Sequence, residues 1–227
     1  IENFLNNRFL VLYIFPFILG SLTVLSFQPF NIFLINFFSL PLFFFLNFFL
    51  IKNKKVFIKK NIIKKIFFFL NQLLVFIFFS FLLFFFLICF VNKKSNCFYR
   101  IIPYFLYLFI LGTAFGFGFY LSNIYWINYS LTFDENFKIL IPFSLILIPL
   151  FLSLFFSLIT LLVGPYLNFN LTSIFLLSAS LAISDFVRAK VLTGFPWNLW
   201  VYSFSWSTEI LQILNKIGLF AFNLIAI

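Results

Sequence analysis

The run ILIPFSLILIPLFLSLFFSLITLLV, residues 139–163, contains no charged residue. Crossing the roughly 30 Å hydrocarbon core of a bilayer as a helix takes about 20 apolar residues, so this stretch reads as a transmembrane helix. Lipid cannot hydrogen-bond backbone amides, which leaves helices and closed barrels as the spanning structures, and the alternating pattern of a barrel is absent. Working outward, comparable runs fall at 9–27, 32–51, 66–91, 101–123 and 171–187, and from 209 onward. The expected fold is all-α: a polytopic transmembrane bundle of about six to seven apolar helices, forming one membrane domain over residues 1–227. Composition agrees, because 64% hydrophobic and 9% charged residues leave too little polar surface to wrap a soluble fold.

The connections carry the orientation. Gln28, Pro29, Phe30 and Asn31 form a tight turn that makes a helical hairpin of the first two runs. Next comes KNKKVFIKKNIIKK, residues 52–65, whose lysines each cost about 3 kcal/mol at a bilayer centre and so stay out of it. The positive-inside rule makes this loop cytoplasmic, and between two spans its charge reads as a membrane-surface anchor, not a nucleic-acid site. The run 66–91 is flanked by Lys64 and Lys65 before it and by Lys93, Lys94 and Arg100 after it. As one helix it would measure about 39 Å. With both flanks basic, it is expected to be re-entrant, a short hairpin or interfacial, whereas a simple span would invert everything downstream.

Candidate chemistry is sparse. With no His in the chain, His-based acid–base work and metal binding are impossible within these residues. Cys89 and Cys97 lie eight residues apart, neither a redox nor a zinc spacing, and no disulfide, metal site or cofactor is expected. Asp185 is the one acid within or near a span, and Arg188, three residues on, shares its helix face. An interfacial ion pair is the structural reading of that pair; a proton or ion site is the functional one. Gly112 and Gly116 have the small-xxx-small spacing of close helix packing, with Gly118 extending that seam. Trp126, Asn128 and Tyr129 follow as an aromatic and polar rim at the end of that span. A second rim is LTGFPWNLW, residues 192–200, where Gly194 and Pro196 break the helix and Trp197 and Trp200 are expected at headgroup depth. Rings alone would serve an interfacial anchor; Gly, Pro and Asn fixed among them suit a shaped turn at a lipid-sized opening. Both readings stay open. The chain opens on Ile1, holds no Met and closes inside an apolar run, so it reads as a fragment. The first run has no small-residue cleavage site and is taken as a span, not a signal peptide.

SDFVRAKVLTGFPWNLWVYSFS, residues 184–205, resembles the signature of bacterial apolipoprotein N-acyltransferases, and its LTGFPWN core is specific. LSFQPFNIFLINFFSLPL (25–42) is similar to that family's first hairpin, FGFGFYLSNIYWINYSL (115–131) to its glycine-rich span, and GLFAFNLIAI (218–227) to the helix after the signature. Residues 52–100 or so are an insert outside the resemblance. The resemblance implies a multi-pass enzyme of the bacterial inner membrane, moving an acyl chain from a phospholipid to the N-terminal amine of diacylglyceryl-Cys lipoproteins, the last step of their maturation. Membrane phospholipids and diacylglyceryl-modified apolipoproteins are the implied partners, with no nucleic acid. It also implies a thioester intermediate on a Cys, a Glu base and an oxyanion-holding Lys, in a nitrilase-like domain that this chain lacks. No catalytic residue is therefore assigned here, and the fragment alone is expected to be inactive. By family topology the N-terminus is cytoplasmic and loop 192–206 periplasmic. Phe195, Pro196, Trp197 and Asn198 would then shape a lipid entrance, with Trp126, Asn128 and Tyr129 on the facing rim. The alternative is a fragment of a transporter or permease, with Asp185 and the break at Gly194 and Pro196 marking a substrate path.

Overall fold

A computed structural model describes residues 9–52, 95–191 and 198–227. The chain divides into two compact units: Ile1–Lys52 with Leu106–Ile227, and Asn53–Phe105. Most of the second unit, including the run 66–91, Cys89 and the basic loop beyond Lys52, lies outside the described residues.

The first unit is built of helices, and the described residues contain no strand. Helix α1 (Leu10–Ser26) starts as a π-turn over Leu10–Ile14, becomes α-helical over Phe15–Leu22 and tightens to a 3-10 turn over Thr23–Ser26. The π-turn falls where Pro16, lacking an N–H, would crowd a normal preceding turn. A turn leads through the 3-10 segment Phe33–Ile35 into α2 (Asn36–Lys52). Helix α3 (Ser95–Ile124) runs into a 3-10 rim over Tyr125–Thr132 and Glu135–Leu140, followed by α4 (Ile141–Val163) and α5 (Leu171–Lys190). Asn170 caps α5 by accepting the Ser173 N–H at 2.9 Å. A 3-10 turn over Trp200–Phe204 precedes α6 (Thr208–Leu211), α7 (Ile213–Ile217) and α8 (Leu219–Ala226).

Among the described residues four helical stretches are long and apolar enough to cross a membrane: Phe33–Lys52, Tyr104–Thr132, Glu135–Tyr166 and Leu171–Lys190. Helix α1 is apolar but shorter. The all-α bundle therefore stands, with one boundary changed. The run expected from 209 onward is divided at Gly218, whose φ of 84° is a conformation that side chains resist. Its first half carries Glu209, Gln212, Asn215 and Lys216, polar positions that an apolar average over the run conceals.

Between apolar helices in lipid there is no hydrophobic drive, so close backbone approach and interhelical hydrogen bonds do the joining. Helices α1 and α3 run parallel and nearly touch. A Cβ on Gly20 would strike the Phe115 carbonyl and lie 2.8 Å from the Phe119 nitrogen; one on Gly118 would strike the Phe17 carbonyl. Phe17 also meets Phe117, and Asn123 Nδ2 reaches Thr23 Oγ1 at 3.5 Å. Helix α4 returns antiparallel on another side of α3. A Cβ on Gly112 would lie 2.7 Å from the Phe156 carbonyl, and one on Gly116 2.9 Å from Ser153 Cα. Thr113 and Ser157 share a hydrogen bond of 2.7 Å, and Thr160 donates to the Leu108 carbonyl at 2.7 Å. Gly112 and Gly116 thus serve the α4 seam, whereas Gly118 serves α1 and not an extension of that seam. Phe43 of α2 stacks on Phe115 at 4.1 Å, with Phe156 closing the aromatic core.

These pairings sort the connections by end. The turn at 27–32, the rim at 125–140 and the segment 198–207 share one end, here the rim end. Lys52, Leu106 and the turn at 164–170 share the other, where Phe48 packs against Phe169.

Candidate functional site

The rim end is assembled by aromatic contacts between segments far apart in sequence. Phe33, opening the hairpin's second helix, stacks on Trp206 at 5.6 Å and meets Phe204 at 6.0 Å. Phe119 of α3 touches Phe27 at 6.2 Å and Trp200 at 5.1 Å. Trp200 is buried, so it is a core ring and not the headgroup-level anchor its composition suggested. Trp206 is the half-exposed ring of this segment. Both bounding turns place an Asn at positive φ, Asn31 at 56° and Asn198 at 54°, a conformation Asn tolerates better than most residues.

Beneath the rings runs a chain of buried polar groups. Arg188 Nη2 donates to Asp185 Oδ1 at 2.9 Å, the two side chains being 2% and 9% exposed. The other carboxylate oxygen accepts from Asn223 Nδ2 of α8 at 2.9 Å. Asn223 Oδ1 in turn accepts the Val201 N–H at 3.1 Å. The Arg188 guanidinium also lies over the Tyr120 ring, 5.5 Å from its centroid. The ion pair expected at an interface is buried, and it ties α5, α8, α3 and the segment after LTGFPWN into one latch. Nearby, burial pushes the Tyr202 hydroxyl's pKa up, opposed by the Arg188 charge. At the foot of the segment Ser207 caps α6, accepting the Ile210 N–H and donating to Glu209 Oε2 at 2.8 Å. Bonds from its own backbone N–H and from Ser207 hold the Glu209 carboxyl below the usual range.

Of the residues singled out in sequence, Trp126, Asn128, Tyr129 and Asn198 lie at the rim end, while Phe195, Pro196 and Trp197 lie outside the described residues. Tyr129 is exposed, and Trp126 donates from its indole N–H to the Asn123 carbonyl at 3.1 Å. Asn128 is engaged at both ends of its amide: Nδ2 donates to the Tyr125 carbonyl at 2.8 Å, and Oδ1 accepts from Ser144 Oγ of α4. Its geometry fits a residue that pins the rim to the first turn of α4. Rings and apolar side chains project from the rim, Phe133 most of all at 91% exposure, as suits a segment lying in the headgroup layer. Among the described residues no three His, Cys, Asp or Glu side chains come together as a metal site. Sequence reasoning missed Asn223, although an Asn inside the apolar run GLFAFNLIAI is itself a signal that a buried partner exists.

Comparison with known proteins adds to this geometry. A family model described as "Apolipoprotein N-acyltransferase N-terminal domain" matches residues 76–227. The chain is similar to the apolipoprotein N-acyltransferase of Rickettsia bellii, 36% identical over 118 residues, covering 52% of this chain and 23% of that protein. It is also similar to that of Rickettsia prowazekii, 35% identical over 142 residues, covering 62% of this chain and 27% of that protein. A third, from Rhodopseudomonas palustris, is 34% identical over 121 residues, covering 51% and 22%. The matched stretch thus spans about a quarter of the length of these curated relatives.

Proposed function

The chain belongs to the apolipoprotein N-acyltransferase N-terminal domain family, and from that premise we propose that it is the membrane part of a phospholipid:apolipoprotein N-acyltransferase. The whole protein moves an acyl chain from a phospholipid to the N-terminal amine of a diacylglyceryl-modified cysteine, completing lipoprotein maturation. On this reading the bond-making groups belong to the length that the relatives possess beyond the matched stretch. The task of this chain is to gather lipid at the rim end and to seat the catalytic part there.

The observation that carries this reading is the convergence at one end of the bundle. The last turns of α3, which lead into the rim, the first hairpin's turn and the segment following LTGFPWN meet through Phe27, Phe33, Phe119, Trp200, Phe204 and Trp206. Orientation follows from charge. Lys52, the first residue of the basic stretch 52–65, lies at the end opposite the rim, and the positive-inside rule puts that stretch in the cytoplasm of an inner-membrane protein. The rim end then faces the periplasm, and α1 starts on the cytoplasmic side. The transporter alternative leaned on Asp185 as part of a path, but both carboxylate oxygens are engaged by Arg188 and Asn223.

Complementation of a conditional N-acyltransferase mutant tests the proposal. The full parent gene is expected to restore growth and triacylated lipoprotein, and the 227-residue chain alone is not. Correct membrane insertion of the parent protein without rescue would overturn the assignment.

A further inference from the structure

Hydroxyls and amides inside this bundle are mostly paired. Thr23, Ser26, Thr113, Ser153, Ser157, Thr160, Asn123 and Asn223 each make a hydrogen bond. The hairpin's turn and the start of α2 depart from that pattern. Both amide atoms of Asn36, the Ser39 hydroxyl and the Asn31 carbonyl oxygen are buried with no hydrogen-bond partner, and so is the amide nitrogen of Asn198 across the rim end. Asn36 is 6% and Ser39 2% exposed. Leaving buried donors and acceptors unmade is costly in any protein, and more so in lipid, where no solvent can substitute.

Position narrows what would satisfy them. Asn36 and Ser39 are three residues apart, on one face of α2. They lie about 5 and 10 Å along the axis from Phe33, and Phe33 marks the membrane edge through its stack on Trp206. That depth, about 5–10 Å in, is the boundary between headgroups and acyl chains. The same turn of α2 presents Phe37 and Phe38 outward, both exposed. The unused groups are a primary amide, a hydroxyl and a carbonyl oxygen, so the set donates and accepts. Ester carbonyls match the donors Asn36 Nδ2, Ser39 Oγ and Asn198 Nδ2. A headgroup ammonium or hydroxyl matches the acceptors Asn36 Oδ1 and Asn31 Oδ1.

We propose that Asn36 and Ser39, bordered by Asn31 and Asn198, form a binding site for the glycerol-ester region of a glycerophospholipid that enters laterally along α2. The site rests on the reading that the rim end handles phospholipid. It adds where the donor's ester linkage is held before transfer and which side chains hold it.

The test is lipid-dependent thermal stability of the delipidated parent protein in detergent, which needs no acyl transfer and so is independent of the proposed reaction. Dihexanoyl phosphatidylethanolamine is the probe and glycerophosphoethanolamine the headgroup-only control. The wild type is expected to gain stability with the diacyl lipid and not with the control. Asn36→Leu with Ser39→Ala is expected to unfold no earlier than wild type without lipid, since it removes unpaired buried groups, yet to bind the lipid about tenfold more weakly. Should the double variant fail to fold, Ser39→Ala alone, nearly isosteric, is expected to lose lipid affinity in the same direction. Unchanged lipid affinity in the variant that folds would overturn the site and mean a buried water only. A wild type that ignores the diacyl lipid would overturn it as well, and an equal response to glycerophosphoethanolamine would overturn the ester assignment. Loss of lipid affinity in a parent protein that fails complementation would leave the site standing and remove the reaction.

Discussion

The α3–α4 seam and the latch at the rim end both bring polar groups into a membrane interior, by opposite means. The seam removes side chains: Gly112 and Gly116 let α4 approach so closely that Ser157 and Thr160 reach across to α3. Its contacts are separate, and each hydroxyl also bonds a carbonyl of its own helix. The latch adds charge. Arg188, Asp185, Asn223 and the Val201 N–H form a single file in which each group satisfies the next. A seam of this kind should fail gradually and a file more abruptly, because losing one member takes a charged or polar partner from its neighbour in a low-dielectric interior.

The largest expected effect falls on the latch. Asp185→Ala takes the carboxylate partner from a buried guanidinium and should cost about 3–5 kcal/mol, read as a fall in the unfolding temperature of the detergent-solubilised protein. Asp185→Leu combined with Arg188→Met should recover most of that loss, since buried pairs are often replaceable by apolar residues of similar volume. A double variant no better than the single would show that the file is not a unit. Next comes the glycine crossing. Gly20→Ala sets a Cβ against the Phe115 carbonyl and should cost about 1–3 kcal/mol through backbone shift; an unchanged unfolding temperature would refute the close approach of α1 and α3. Within the seam, Ser157→Ala should cost only about 0.6 kcal/mol, because Thr113 keeps its bond to the Phe109 carbonyl at 2.8 Å. A loss as large as that of Asp185→Ala would erase the distinction between the two regions. The smallest effect is at Glu209, outside the spans. Its folded pKa is depressed, so its contribution is present above the ordinary value of 4.5 and is lost as pH falls through the lower folded value. Glu209→Gln should flatten the acid limb of the stability curve by lowering stability slightly at neutral pH and leaving it unchanged at low pH, where the carboxyl is protonated in either state.

How much of this was legible in the sequence follows from the range of the interactions. Spans are a matter of length and local hydropathy, so α2, α3, α4 and α5 coincide closely with the runs read from sequence. The turn at Pro29 and the glycine spacing at 112 and 116 are local too. The latch joins residues 38 apart, Asp185 and Asn223, and no periodicity encodes that pairing. Trp200 was misplaced for a related reason: indole rings favour interfaces on average, but this one has Phe119 and the core to pack against. The divided segment after 209 shows the limit of averaging, since polar positions spaced through an apolar run vanish from its mean. Of the candidate rim residues, Asn128 was legible as polar, but not its engagement by Ser144.

The α1–α3 crossing also sets a clock for biogenesis. Ser21 and its acceptor, the Gly118 carbonyl, are 97 residues apart, which at 5–20 residues per second is roughly 5–20 s of synthesis. For that interval the hairpin sits in the bilayer with its glycine face unmatched. Thr23 and Ser26 meanwhile need no partner helix, because their hydroxyls bond the Gly20 and Thr23 carbonyls of α1 itself. The nascent hairpin can therefore wait for its mate with these hydroxyls already satisfied.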